Sequence, residues 1–379
     1  MRLLYIAPPG AATNAFGGIE TYARELSQGI RERGHTVEVL VCDPPALLSN
    51  LTLADRMPRW RYRQRYYYWR GFFLQDFRYH NALGRMVRRA VAQARPDVVH
   101  ALHCYHTGAV VAARSHPTVV SCYGLEIEDR PPVRMSLERA TGVHADSDFA
   151  QGLVRAIVGP RRNVFTLTWG IRDQEPPRLP ATTVDFELVT VSRLVPRKNI
   201  EAVLRALSHL DDPAIRYAVV GDGPERNRLE ALASELGLAS VRFLGALSER
   251  DKREVLRRSR LFVMCPRSDL GGDVEGLGLV YFEAHGLGLI CIGARSGGVP
   301  EAIGKAGLLI ANPTDHHELA RAIREALTPT VYTRLCSEVT ARQQSHSWNV
   351  FMEAWEHAYS GLIEQGHAPP RGGGRLRPR

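Results

Sequence analysis

Residues 187–210 read ELVTVSRLVPRKNIEAVLRALSHL: a strand at 187–191, a loop, and a helix from about Ile200 to Leu210. Just before it, Gln174–Pro180 holds three prolines in seven residues and reads as a linker, so this strand begins a series afresh. The series continues as RYAVVG (216–221), a helix from about Glu225 to Leu236, the short strand VRFLG, the helix SERDKREVLRRS and the strand LFVMC. A helix near 279–287, the strand LICIGA and a helix over 315–327 follow.

The same alternation fills the chain upstream. RLLYIA opens it as a strand, and a Gly-containing loop runs to Gly18. A helix follows with Ile19, Tyr22, Leu26 and Ile30 on one face, closed by Gly34. TVEVLVC, DVVHAL (97–102), TVVSCY (118–123), GVHAD (142–146) and NVFTLT (163–168) are further strands. Strands separated by helical patterns of about 10–15 residues imply parallel sheets joined by right-handed crossovers. The expected fold class is α/β, with two Rossmann-like, doubly wound parallel-sheet domains facing a cleft. The expected boundaries are 1–172, 181–345, a C-terminal helix over 346–365 and a disordered basic tail over 366–379. The helical stretch 331–364 is long enough to cross back to the first domain.

With 379 residues and 44% apolar content the chain can bury a large core. It has no run of about 18 apolar residues, so no spanning helix is expected. MRLLYIAPPG is too short an apolar run for a signal peptide. Six scattered cysteines without a Cys-x-x-Cys read as reduced thiols of a cytoplasmic protein. The net charge of +9 is uneven: Arg56–Arg95 holds eleven arginines against one acid, Asp76, and the tail from Arg371 adds four. The same segment carries Trp60, Tyr62, Tyr66, Tyr67, Tyr68, Trp69, Phe72, Phe73, Phe77 and Tyr79. Inward packing of its aromatics under solvated arginines is the first reading of 56–95. Peripheral contact with an anionic membrane or a lipid-linked acceptor is the second. Nucleic acid is not expected as a partner.

No Gly-x-Gly-x-x-Gly follows the first strand; Gly17-Gly18 stands directly before the helix instead, where backbone N–H groups can approach a phosphate. The strongest motif is DVEGLGLVYFEAHGLG (273–288). Glu275 and Glu283 lie eight positions apart around a Gly-Leu-Gly-Leu turn into a helix. Gly276 and Gly278 free amides at a helix start, where a diphosphate is stabilised. A carboxylate on the first turns of that helix suits a ribose diol, and one in the loop before it suits a second polyol. Asp146-Ser147-Asp148 is formally Asp-x-Asp but falls at a strand end and reads as a helix cap.

The segment 273–288 resembles the signature of the retaining family-4 glycosyltransferases of GT-B fold. Gly17–Tyr22 with Arg33-Gly34-His35, Asp97–Ala101, Ser192–Asn199, Gly221–Pro224 and Gly297–Glu301 resemble further motifs of that family, in its order. The resemblance implies a retaining, metal-independent hexosyltransferase, with an N-terminal acceptor domain and a C-terminal donor domain. Arg193 and Lys198 would neutralise the donor diphosphate, Glu275 would hold the hexose and Glu283 the ribose. Gly17, Gly18, Gly221, Gly276, Leu277, Gly278 and Leu279 would complete the donor site. The family's acceptor-side histidine is displaced here, with Leu102 at its position and His103 next to it, so His103 is the candidate near the reacting sugar.

The expected partners are a nucleotide-sugar donor, UDP-linked in preference to GDP-linked, and a hydroxyl-bearing glycan, glycolipid or secondary-metabolite acceptor. No cofactor or metal is expected. The expected location is cytoplasmic, at most peripheral to the inner face of the plasma membrane. A same-fold sugar-nucleotide epimerase or phosphorylase, and a non-catalytic membrane-associated scaffold, are the competing readings.

Overall fold

Short apolar strands alternating with amphipathic helices bury both faces of parallel sheets, and the computed structural model of this protein contains two six-stranded sheets of that kind. It describes residues 1–8, 17–42, 73–124, 126–160, 163–179, 182–210, 212–268 and 274–367, with backbone alone for 73–78 and 366–367. The chain divides into two compact units, one of residues 1–146, 151–167 and 352 onward, the other of 147–150 and 168–351.

The first sheet belongs to the first unit. Its elements are β1 (Arg2–Ala7), α1 (Gly18–Glu32), β2 (Thr36–Val41), α2 (Phe73–Ala94), β3 (Val98–Ala101), α3 (Thr107–Ala112), β4 (Thr118–Cys122), α4 (Pro131–Arg139), β5 (Gly142–Ala145), α5 (Asp148–Val158) and β6 (Val164–Thr166). The order β2-β1-β3-β4-β5-β6 reverses between β1 and β3. Tyr22, Leu26 and Ile30 of α1 are buried, as the helical spacing predicts, whereas Ile19 is only half-buried. On α2, Tyr79, Leu83 and Val87 pack against the core beside Ala109 and Ala113. Arg85, Arg88 and Arg89 face solvent on the same helix. Inward packing therefore describes this end of segment 56–95; its other nine aromatic side chains lie outside the described residues, as do residues 368–379 of the tail. Ser147 caps α5, its hydroxyl accepting the Ala150 N–H at 3.2 Å, which is the role read for the Asp-Ser-Asp triplet.

The second unit holds β7 (Phe186–Val191), α6 (Ile200–Leu210), β8 (Tyr217–Val220), α7 (Arg226–Glu235), β9 (Val241–Gly245), α8 (Glu249–Arg257), β10 (Ser259–Val263), α9 (Leu279–Gly286), β11 (Ile290–Ala294), α10 (Val299–Ile303), β12 (Gly307–Ile310), α11 (His316–Leu327) and α12 (Pro329–Ser345). Its order, β12-β11-β10-β7-β8-β9, is the doubly wound one, reversing between β7 and β10. Ser248 and Asp315 cap α8 and α11 with side-chain oxygens.

The last helix is α13 (Trp348–His367). The single helical stretch expected over 331–364 is interrupted at His346–Ser347. The backbone of Ile171 enters there: its N–H donates to the His346 carbonyl at 2.6 Å and its carbonyl accepts the Trp348 N–H at 2.8 Å. From Met352 onward α13 belongs to the first unit, where Trp355, Tyr359 and Leu362 are buried.

A chain of hydrogen bonds crosses the first unit's core, and one carbonyl dictates its direction. His144 Nε2 lies 3.0 Å from the Leu167 carbonyl, which only accepts, so Nε2 carries the proton. Burial keeps His100 and His144 neutral, and the tautomers follow from there. Ser121 donates to His144 Nδ1 (2.9 Å) and accepts from His100 Nε2 (2.7 Å). Tyr359 donates to His100 Nδ1 (2.8 Å) and accepts from the Tyr5 hydroxyl (2.8 Å). Trp355 adds a bond to the Tyr22 hydroxyl at 3.2 Å.

Candidate active site

In doubly wound sheets ligands bind beyond the carboxyl ends of the strands where the order reverses. In the second unit those strands are β7 and β10, and the loops leaving them carry Arg193, Arg197 and Lys198 on one side and Glu275 on the other. The first of these loops ends in a short 3₁₀ turn, Pro196–Lys198, stopped by Asn199 in the left-handed region at φ 56°. Asparagine tolerates that conformation, and its buried amide donates to the carbonyls of Cys265 (2.9 Å) and Pro313 (2.8 Å). The Arg267 N–H donates to the Arg197 carbonyl at 2.9 Å. The two loops are thus tied together by backbone as well as by charge.

The charge contact is a triad. Arg197 Nη1 and Lys198 Nζ each lie 2.5 Å from the same oxygen, Oε2 of Glu275. Glu275 is held below the usual carboxylate range: burial opposes ionisation, but Lys198 and Arg197 overcome it. Lys198 is held below the usual lysine range, because burial and the neighbouring Arg197 and Arg193 outweigh the attraction of Glu275. Two cations face one carboxylate here, so the spot carries excess positive charge. Arg193 itself is exposed, with no carboxylate within ion-pair distance among the described residues. The charge partner of Glu275 that accompanies Lys198 is therefore Arg197, a residue to which the sequence motif had given no separate role.

The glycines of the motifs position these loops. A Cβ on Gly298 would sit 1.9 Å from the Gly276 carbonyl oxygen, and one on Gly297 2.0 Å from that of Glu275. The Gly298 N–H donates to the Glu275 carbonyl at 3.1 Å. A Cβ on Gly221 would sit 1.8 Å from the Ser192 carbonyl oxygen, so Gly221 makes room for the cationic loop. Among the described residues, the N–H groups of Gly276, Leu277 and Gly278 have no acceptor, and they precede the first turn of α9 at Leu279. Tyr281 anchors that helix, donating to the Met264 carbonyl at 2.6 Å.

Glu283, on α9, accepts from Lys252 at 2.7 Å, and Lys252 also pairs with Glu249 at 2.8 Å. The Lys252 side chain is 14% exposed and the Glu283 side chain 31%. Two of the three lysines in the protein therefore bind the two glutamates of the 273–288 motif.

Gly17, Gly18 and His103 belong to the first unit. They follow β1 and β3, the strands at which that sheet's order reverses. Gly17 directly precedes α1, and Gly18 is exposed with open space at its Cβ position. His103 is buried, accepts the Tyr105 N–H at 3.1 Å on Nδ1, and burial lowers its pKa to about 4. It is a neutral imidazole at physiological pH.

Two parallel doubly wound units of this kind define the GT-B architecture of nucleotide-sugar-dependent glycosyltransferases. The family profile "Glycosyltransferase Family 4" matches residues 16–175 and "Glycosyl transferases group 1" matches residues 172–339. Together they run through both units, and the chain belongs to the family-4 glycosyltransferases. The GDP-mannose-dependent alpha-(1-6)-phosphatidylinositol monomannoside mannosyltransferase of Mycolicibacterium smegmatis is 37% identical over 146 residues, covering 37% of this chain and 38% of that protein. The GDP-mannose-dependent monoacylated alpha-(1-6)-phosphatidylinositol monomannoside mannosyltransferase of Corynebacterium glutamicum is 36% identical over 139 residues, 36% of each chain. These matches thus span little more than a third of those relatives' length. A phosphatidylinositol N-acetylglucosaminyltransferase component of Arabidopsis thaliana is 27% identical over 340 residues, 83% of this chain and 73% of that one. In fold, the sucrose-phosphate synthase of Thermosynechococcus elongatus aligns with TM-score 0.73 at 18% identity, covering 96% of this chain and all of that one. Anabaena HepE in complex with UDP and glucose aligns with TM-score 0.70 at 19% identity, covering 95% and 100%.

Proposed function

We propose that the protein transfers a hexose from a nucleotide diphosphate sugar to a hydroxyl of a phosphatidylinositol-type glycolipid, with retention at the anomeric carbon and without a metal ion. In this reading the second unit takes the donor and the first unit the acceptor. The observation that carries it is the excess positive charge beside Glu275, next to three backbone amides at the start of α9 that have no acceptor among the described residues. A diphosphate brings the missing negative charge. As its bond to the sugar breaks, charge builds on the leaving phosphate, and Lys198, Arg193 and the 276–279 amides stabilise it more in the transition state than in the ground state. The leaving phosphate then takes the proton of the acceptor hydroxyl arriving on the same face. Glu275 holds the hexose hydroxyls, Glu283 the ribose diol, Gly17 and Gly18 complete the phosphate cradle, and His103 lies on the acceptor side.

The relatives support a lipid-linked acceptor, since those named act on phosphatidylinositol or its mannosides. The two mannosyltransferases also support GDP-mannose as the first donor to test, against the UDP-sugars favoured from the sequence. No described helix is long and apolar enough to cross a membrane. The exposed arginines of α2 suit peripheral contact with an anionic lipid surface. The test is calorimetric titration with GDP, UDP and ADP. It is followed by product analysis with the binding nucleotide's sugar, a phosphatidylinositol mannoside acceptor and EDTA present. An α-linked product formed in EDTA is expected from GDP-mannose. Absence of binding by all three nucleotides sinks the donor assignment, and turnover of donor without acceptor favours an epimerase.

A further inference from the structure

Glu275 presents one oxygen, Oε2, to both Arg197 and Lys198, while its Oε1 has no partner among the described residues. All three side chains are nearly buried, at 12%, 10% and 12% exposure for Glu275, Arg197 and Lys198. Arg197 and Lys198 are adjacent in sequence but differ in chemistry. The guanidinium is planar, always charged and suited to remain on a carboxylate. The ammonium is a compact point charge on a flexible stem, with three donors to redirect. Lys198 is also the less comfortable cation, since Arg197 beside it works against its charge. The Arg197 backbone is held from across the sheet reversal by the Arg267 N–H, and Asn199 anchors the turn two residues on.

A cation that leaves Glu275 for a phosphate strands a nearly buried carboxylate unless another stays behind, and a stranded buried charge is strongly unfavourable. We propose that Arg197 is a positioning residue, the standing counterion of Glu275. It keeps that carboxylate fixed and ionised while Lys198 turns to the diphosphate and Oε1 meets the sugar. The inference rests on the reading that Lys198 binds the donor diphosphate. It assigns Arg197 no direct contact with the phosphate: its contribution runs through Glu275.

The test is a double-mutant cycle read by calorimetry with GDP and UDP, with melting curves as the folding control. Arg197→Met is expected to weaken diphosphate binding about tenfold, because Lys198 then serves two anions. In the Glu275→Gln background the same substitution is expected to change affinity by less than about twofold. Arg197→Lys, which keeps the charge, is expected to restore most of the affinity, and Arg197→Gln replaces Arg197→Met if the latter loses its melting transition. Loss of equal size in both backgrounds would mean that Arg197 contacts the phosphate itself and overturns the inference. So does unchanged binding in Arg197→Met and Arg197→Gln. A wild-type protein that binds neither nucleotide overturns the donor reading first and the inference with it.

Discussion

His100 and Tyr359 are 259 residues apart and share a 2.8 Å hydrogen bond in a fully buried part of the first unit, phenol donating to imidazole. The bond joins β3, in the middle of the first sheet, to the last helix of the chain. Tyr359→Phe leaves His100 Nδ1 without a donor and the Tyr5 hydroxyl without an acceptor. Each buried polar atom stranded in this way costs about 1–3 kcal/mol. Urea unfolding is expected to show a stability loss of about 2–6 kcal/mol for the two stranded atoms with an unchanged m-value.

The buried imidazoles make stability sensitive to acid. Burial lowers His103 and His144 to about 4, and holds His100 and His106 below the ordinary value as well. The unfolded chain titrates near 6.5 and binds more protons than the native one between those values. His103 and His144 contribute their full stability above pH 6.5 and lose it as pH falls toward 4, by up to about 3 kcal/mol each, and His100 and His106 act in the same direction. Denaturant midpoints measured at pH 7.5, 6 and 5 are expected to fall in that order. A flat profile over this range contradicts the neutral assignment.

Lys198→Met removes the cation expected to meet the diphosphate while preserving much of its volume. Loss of a charge-assisted contact of about 1.5–3 kcal/mol corresponds to a donor affinity lower by ten- to over a hundredfold. Equilibrium titration with the preferred nucleotide measures it directly. Lys252→Met, which frees Glu283, is expected to have a smaller effect of the same sign.

Gly298→Ala tests the frame of the site rather than its charges. The new Cβ has a backbone carbonyl 1.9 Å away, which no rotamer change relieves. Overpacking of this kind costs about 1–3 kcal/mol. Because the displaced carbonyl belongs to Gly276, donor turnover is expected to fall further than the melting temperature suggests. Gly152→Ala, on α5 with open space at its Cβ position among the described residues, is the control for mere loss of a glycine.

Replacing Arg85, Arg88 and Arg89 together by Gln leaves the packed face of α2 untouched, since all three are exposed. Near an anionic surface each arginine contributes about 1 kcal/mol. The triple variant is expected to lose liposome flotation on phosphatidylserine vesicles at low salt while keeping its melting temperature. Flotation unchanged from the parent places the lipid contact elsewhere on the chain.

Periodicity in the sequence was enough to locate most elements, because burial on parallel sheets imposes it locally. The helix expected at 200–210 and the strand at 118–123 match the observed Ile200–Leu210 and Thr118–Cys122 closely. The short helices α3 and α4 carry too few turns to display a period. The break at His346–Ser347 comes from the backbone of Ile171, about 175 positions earlier, and no local pattern announces it. The site followed the same division. Glu275, Glu283 and the glycines stood out by spacing within one segment. The pairing of Glu275 with Arg197 and Lys198, and of Glu283 with Lys252, depends on which loops the sheet order brings together. The glycine signals were legible as turns, whereas their role as gaps for a neighbouring carbonyl required the partner strand.

The placement of Trp355, Tyr359 and Leu362 in the first unit also sets an order of events during synthesis. The ribosome releases residues 1–167 long before it reaches the helix that completes their core, and residues 168–351 of the second unit emerge in between. The first unit must therefore wait as a nascent chain with its helix-docking surface uncovered. A fragment ending near residue 172 is an unfinished domain for the same reason. Any excision of the first unit for separate study has to carry residues 352–367 along, joined through a new linker.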